Sequence, residues 1–351
     1  MEKKQLLIRA DANKKIGMGH VMRCLTIAEA AKKAGVETKF LMADAGVGEL
    51  LKERGQAYHI LNTDFSDMES ELPVLFETVE KSAKGKKTVF LLDSYQITEA
   101  YLQKLKEWLN QQNIPLALME DYGNSPYKAD ILINYNIYGV DFSYEKNAPK
   151  ALLGCSYMPL RQAFVQQKYE VREQVKQLLI TTGGSDSYRI AVELVKQFSE
   201  KQFSGNSHLS LHVVCGKFSE SREELSELAR QRENITVHID VKNMWELMAQ
   251  CDIAVSAAGT TLYELCAIGV PTICFSFAEN QRLPGKAFDK YTPMYYAGDY
   301  EQDRNAMFTA IREKTEELCR MSKAERENIS NELKKVVDGK GADRMVGEMF
   351  A

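Results

Sequence analysis

Short apolar runs alternate with longer amphipathic stretches along this chain, and the alternation occurs twice. The runs at 6–11, 38–43, 58–61, 88–93, 116–120 and 131–135 make a first set, and those at 177–182, 210–215, 236–240, 253–256 and 272–277 a second. Several are almost continuously apolar, such as Val89-Phe90-Leu91-Leu92, as in parallel strands buried on both faces. Helical periodicity fills the gaps at 21–33, 68–83, 98–110, 189–203, 220–232, 244–250 and 261–268. Strand–helix alternation of this kind predicts an α/β chain with two Rossmann-like, doubly wound parallel-sheet domains. An irregular stretch at 138–161, with Gly139, Pro149, Gly154 and Pro159, separates the sets. The expected division is 1–164 and 165–351. Ligands of such sheets bind beyond the carboxyl ends of the strands, here in an interdomain cleft. After Tyr300 the chain reads as polar helix, its Lys/Glu-rich charges forming a solvated face.

Composition excludes several classes. With 351 residues, 44% hydrophobic and 27% charged, the chain can build a substantial core. A net charge of -4 gives no general attraction to nucleic acid or to an anionic membrane. The apolar run at the start is too short for a signal peptide, and no later run reaches bilayer length, so a cytoplasmic protein is expected. Seven cysteines without Cys-x-x-Cys spacing argue for small buried hydrophobes rather than disulfides or zinc.

Four turns follow strands and carry polar or glycine-rich sequence. The first runs from Arg9 and Asp11 through Gly17-Met18-Gly19-His20 to Arg23 and opens the first helix. Paired glycines let backbone approach a ligand, and a helix start offers N–H groups and positive potential to phosphate. That potential disfavours imidazolium and favours a neutral, proton-accepting His20. A dinucleotide fingerprint needs a third glycine where Met22 stands. The second turn is Gly183-Gly184-Ser185-Asp186, a phosphate cradle by composition. The third is Ala258-Gly259-Thr260-Thr261, with Glu264 in the helix that follows, able to accept two ribose hydroxyls. The fourth holds Asn280 and Gln281. Two further strand ends carry acids, Asp93-Ser94-Tyr95 and Glu120-Asp121-Tyr122, placed to orient a sugar or a water. At each place a plain turn, helix cap or dipole partner would use the same residue types. His59, His208, His212 and His238 lack ligand spacing and read as structural or surface. No Asp-x-Asp, His-Glu-x-x-His, Gly-x-Ser-x-Gly or Walker lysine loop is present.

In this order the motifs resemble a known family, the UDP-2,4-diacetamido-2,4,6-trideoxy-β-L-altropyranose hydrolases of pseudaminic acid biosynthesis. Spore-coat polysaccharide proteins and MurG-type transferases of the GT-B fold are similar. The resemblance also takes in Leu153-Gly154, Tyr157 and Leu160-Arg161-x-x-Phe164. It implies a GT-B arrangement, a metal-independent and cofactor-free enzyme, and a UDP-sugar substrate. His20 matches the histidine that positions or deprotonates the attacking water. Gly259, Thr260, Thr261 and Glu264 match the nucleotide turn, with Glu264 on the ribose. Gly183 to Asp186 match the loop near the phosphates, and Asn280 and Gln281 the loop over the sugar. Asp11, Gly17, Gly19, Arg23, Asp93 and Tyr95 complete the expected substrate site, and the last helix is expected to cross back to the first domain. A glycosyltransferase on the same scaffold and a non-catalytic nucleotide-sugar binding protein are the alternatives.

Overall fold

The computed structural model describes residues 2–13, 16–123, 126–183, 186–199, 209–216 and 219–351. The chain divides into two compact units, Met1–Leu160 with Lys340–Ala351, and Arg161–Gly339.

The first unit is built in chain order from β1 (Lys4–Ala10), α1 (Gly19–Lys33), β2 (Glu37–Met42), α2 (Gly48–Glu53), β3 (Ala57–Ile60), α3 (Met68–Ala83), β4 (Lys87–Asp93), α4 (Glu99–Gln111), β5 (Leu116–Met119), β6 (Ile131–Asn134) and β7 (Lys150–Leu153). Its seven strands run in the order β3-β2-β1-β4-β5-β6-β7, and every pairing is parallel. The apolar runs explain this arrangement, because β4, β5 and β6 bury almost every side chain. Leu75, Val79, Leu102 and Leu105 cover one face of the sheet from α3 and α4. Strand order reverses between β1 and β4, and their register, Ala10↔Asp93, puts both carboxyl ends side by side. A doubly wound sheet opens its ligand-binding crevice at such a reversal.

The second unit contains α5 (Gln162–Val165), β8 (Gln177–Thr181), α6 (Ile190–Phe198), β9 (Ser210–Cys215), α7 (Arg222–Gln231), β10 (Ile235–Ile239), α8 (Met244–Gln250), β11 (Ile253–Ala257), α9 (Thr261–Ile268), β12 (Thr272–Ser276), α10 (Glu279–Tyr291), β13 (Tyr295–Asp299), α11 (Tyr300–Arg320) and α12 (Lys323–Leu333). Its strands run β10-β9-β8-β11-β12-β13, again all parallel, with the reversal between β8 and β11. His212 and His238 serve this sheet as structural groups. Their Nδ1 and Nε2 atoms lie 3.0 Å apart, and His212 Nε2 sits 2.6 Å from Gln177 Oε1, tying β8, β9 and β10. His208 lies outside the described residues.

The chain ends in α13 (Gly341–Met349), which returns to the first unit. Met345, Val346 and Met349 are buried there, Arg344 donates to the Ser156 carbonyl at 2.8 Å, and Lys150 pairs with Glu348 at 2.9 Å. Among the described residues no helix is long and apolar enough to cross a membrane.

Two strands and three helices, α2, α5 and α10, escape the sequence reading. β7 sits inside the stretch expected to be irregular, because an edge strand pairs on one side and needs only one apolar face. β13 is likewise an edge strand, with a register irregularity between Cys274 and Ser276. Asn280 and Gln281, expected in a loop, stand in the first turn of α10; Pro284 and Gly285 hide that helix from periodicity. Gly285 is there for contact, since a Cβ would come within 2.5 Å of the Tyr296 ring on β13.

Candidate functional site

In the first unit the candidate site grows from the two strand ends at the reversal. After β1 the chain turns through Gly17, whose φ of +80° suits glycine, and its amide donates to the Asn13 carbonyl at 2.8 Å. α1 then starts at Gly19 and places His20, buried and 5% exposed, in its first turn. β4 ends on Asp93, 1% exposed. His20 Nδ1 and Asp93 Oδ1 are 2.6 Å apart. Burial alone would raise the Asp93 carboxyl, but the charge and hydrogen bonds of Arg23 and His20 outweigh it and hold the group far below the usual carboxylate range. An ionised Asp93 accepts hydrogen bonds only, so Nδ1 carries a proton, and in the uncharged ring Nε2 is the atom with the lone pair.

Arg23, one turn along α1, reaches the same carboxylate through Nε at 2.6 Å and Nη2 at 2.5 Å. Its Nη1 donates to Asp121 at 2.9 and 3.1 Å and to the Tyr135 hydroxyl at 2.7 Å. Tyr95 closes the group: its ring stands edge-on to His20 at 4.3 Å, and its hydroxyl donates to Asp121 at 2.6 Å. Desolvation of the hydroxyl end, then Asp121, raises the Tyr95 hydroxyl well above its ordinary value, so it remains a donor although the side chain as a whole is exposed. Tyr95 and Tyr122 are exposed, with ring centroids 5.3 Å apart.

Asp121 is shaped by its neighbour. The buried Glu120 carboxylate accepts the amides of Tyr122 at 2.7 Å and Gly123 at 3.0 Å, and the Tyr144 hydroxyl. This fixes the loop after β5 and aims Asp121 at Arg23.

Of the residues expected in this half, the fold brings His20, Arg23, Asp93 and Tyr95 together, with Gly17 and Gly19 in the turn that carries them. Asp11 stands apart from them. Its Oδ1 accepts the Ala43 amide at 2.8 Å and its Oδ2 accepts from Arg9 at 2.5 Å. Fully buried Arg9 is also bidentate to Glu71, at 2.9 and 2.6 Å, and Tyr101 donates to Glu71 at 2.9 Å. The Asp11 carboxylate is thus spent inside a brace joining β1, β2, α3 and α4. Tyr135 was missed in the sequence because a tyrosine ending an apolar strand looks like core. Asp121 was read only as one of two acids at a strand end.

The second unit places its candidates after β8, β11 and β12. Gly183 has φ +82°, and Gly184 and Ser185 lie outside the described residues. Asp186 is buried and caps α6, accepting the amides of Ile190 at 2.8 Å and Ala191 at 3.1 Å and the Ser221 hydroxyl at 2.9 Å. Gly259 and Thr260 lead into α9, which starts at Thr261. Glu264, one-fifth exposed, is 3.3 Å from Arg161 Nη2. The Arg161 guanidinium lies over Phe164 at 4.9 Å and Trp245 at 5.6 Å, rings that themselves meet edge to face. Burial raises the Glu264 carboxyl above its ordinary value, with Arg161 pulling the other way. Gln281 Oε1 accepts the Phe277 amide at 3.0 Å, and Asn280 is exposed beside it. Gly19 and Gly259 have no positive φ, and a Cβ at either meets nothing within 4 Å among the described residues.

The fold is GT-B. Acinetobacter baumannii MurG superposes with a TM-score of 0.68 at 13% identity, covering 99% of both chains. The Neisseria meningitidis UDP-GlcNAc 2-epimerase bound to UDP-GlcNAc gives 0.66 at 12% identity, again over 99% of both. Residues 178–340 match the glycosyltransferase family 28 C-terminal domain.

Among curated proteins, the chain is 25% identical to an uncharacterized Methanocaldococcus jannaschii protein over 82% of its own length, and it spans 58% of that relative. It is 27% identical to the spore coat polysaccharide biosynthesis protein SpsG of Bacillus subtilis, covering 80% of each. It is 22% identical to the UDP-2,4-diacetamido-2,4,6-trideoxy-β-L-altropyranose hydrolase of Campylobacter jejuni, over 79% of this chain and 93% of that one.

Proposed function

We propose that this chain hydrolyses a UDP-linked amino or deoxy sugar at the anomeric carbon. The observation that carries the reading is the His20–Asp93 contact of 2.6 Å, with Nδ1 committed and Nε2 left as the base. In the proposed step a water oxygen forms a bond to the anomeric carbon as the bond from that carbon to the diphosphate oxygen breaks. The electron pair leaves on UDP, and the water's proton passes to Nε2. The sugar is released with inverted configuration. UDP is a good leaving group, so the enzyme has chiefly to place water, accept its proton and hold the diphosphate charge.

In this reading Glu264 takes the ribose hydroxyls, and Gly259, Thr260 and Thr261 lie along the nucleotide. Gly183 to Asp186 border the phosphates, and Asn280 and Gln281 the sugar. The room over Gly19 and Gly259, which the protein's own packing does not require, supports it. So do the names of the relatives from C. jejuni and B. subtilis. A transferase is the second reading, favoured by the family 28 domain match, with an acceptor hydroxyl in place of water.

Acceptor-free incubation with UDP-sugars, followed by phosphorus NMR, separates the two. UDP release without acceptor or added metal is expected. UDP-sugars that bind but stay intact until an acceptor is added would establish transfer instead.

A further inference from the structure

Arg23 was expected to touch substrate, yet its donors point inward. Its side chain is 9% exposed, and its nitrogens reach Asp93, Asp121 and Tyr135. The Nη2 atom also lies 3.2 Å from His20 Nδ1, closer than any water layer would allow. A guanidinium so placed acts on the histidine twice. It neutralises the carboxylate that would otherwise draw a proton onto the ring, and it sets a fixed positive charge beside that ring.

We propose that Arg23 is a positioning residue which keeps His20 an uncharged base, by sharing Asp93 with it and by holding Asp121 and Tyr95 in place around it. The inference rests on the reading of His20 as the base. Other charged or titratable groups around α1 face other partners, Glu29 among them, which pairs with Arg54 at 4.0 Å. Cys24 contacts Asp93 at 3.4 Å. Tyr95 and Asp121 are bonded to each other, and Tyr135 to Arg23. The Tyr122 ring meets Tyr95 at a tilt of 55°. At the end of β1, Arg9 pairs with Asp11 in the turn that follows; on β2, Lys39 turns to Ser82. On α13, Arg344 and Glu348 turn to Ser156 and Lys150.

Asp93 and Asp121 together need the one cation. Without it, the Asp93 carboxylate faces the imidazole uncompensated and stabilises the imidazolium, and Asp121 loses its cation. A lysine keeps the charge but cannot fork to both acids.

The test is a pH titration of the His20 ring proton resonance in the full-length protein. The chain has five histidines, so the signal is identified by its loss in His20→Gln. In Arg23→Gln the midpoint should rise by about one pH unit or more, whereas in Arg23→Lys it should stay near the parent value. Asp93→Asn, which removes the anion and leaves the cation, should move it down. That variant keeps the test decisive if Arg23→Gln fails to fold. An unchanged midpoint in Arg23→Gln, or an upward one in Asp93→Asn, overturns the proposal. If UDP-sugar turnover is found, the acid limb of kcat/KM should follow the same shifts. Its absence would count against the hydrolase reading while leaving the resonance test standing.

Discussion

Asp93 answers to a histidine and an arginine at once, and the candidate site is organised around that carboxylate. Both partners hold it ionised far below the usual carboxylate range, so its hold on Nδ1 persists throughout any working pH. Glu264 behaves in the opposite way. Burial raises it, so its ionised form is lost sooner than an ordinary carboxylate's as pH falls. If Glu264 takes the ribose as proposed, UDP affinity should weaken on acidification before the protein unfolds, as calorimetry at stepped pH would show. Glu264→Gln should flatten that dependence and cost about 1.5–3 kcal/mol of binding, the worth of a hydrogen bond to a charged group. Gly259 gives a further check. Its φ suits any residue and a Cβ there meets nothing within 4 Å among the described residues, so Gly259→Ala should leave the thermal midpoint level or slightly raised while weakening the proposed UDP binding. A lowered midpoint would mean that the glycine serves the fold.

Among the elements, the brace of Arg9 with Asp11 and Glu71 pins β1 and β2 to α3 and α4, immediately before the turn to His20. Arg9→Met would leave two buried carboxylates without their cation and should cost about 3–5 kcal/mol in urea unfolding. The His212–His238 pair sets a milder dependence. Burial lowers both rings below the ordinary histidine value, and His212 lowers His238 further. The unfolded chain thus binds more protons in acid, so this contribution is present above about pH 6.5 and is lost as pH falls below it. The thermal midpoint should drop between pH 8 and pH 5.5, and less so in His212→Gln.

The elements legible in the sequence were those buried on both faces: β4, β5, β11 and β12 were read from unbroken apolar runs. α3, α8 and α9 were read from helical periodicity. Edge strands β7 and β13 have half that signal, and α10 carries a proline and a glycine that contact rather than local propensity put there. The site was legible where residue type and strand end coincide, as for His20 and Asp93. Nothing local reveals that Asp11 and Asp186 turn inward, because their partners, Arg9 with Ala43 and Ser221 with the α6 amides, are set by tertiary packing.

For the whole molecule, the two parallel sheets each place their candidate residues beyond the carboxyl ends of strands at or next to the point where strand order reverses. The return of α13 to the first unit makes the chain's last residues part of the packing around α1, where Met345 and Val346 are buried. Removing residues 340–351 should lower the thermal midpoint and broaden the His20 resonance, while leaving UDP binding to the second unit within about threefold if that unit holds the nucleotide alone. The most direct measurement of the central claim pairs turnover with binding in His20→Asn. UDP-sugar cleavage should fall by about 10²–10⁴-fold, the usual contribution of a general base, with the Kd for UDP nearly unchanged. Cleavage at the parent rate, or loss of both activity and UDP binding, would contradict the account of His20 as the base.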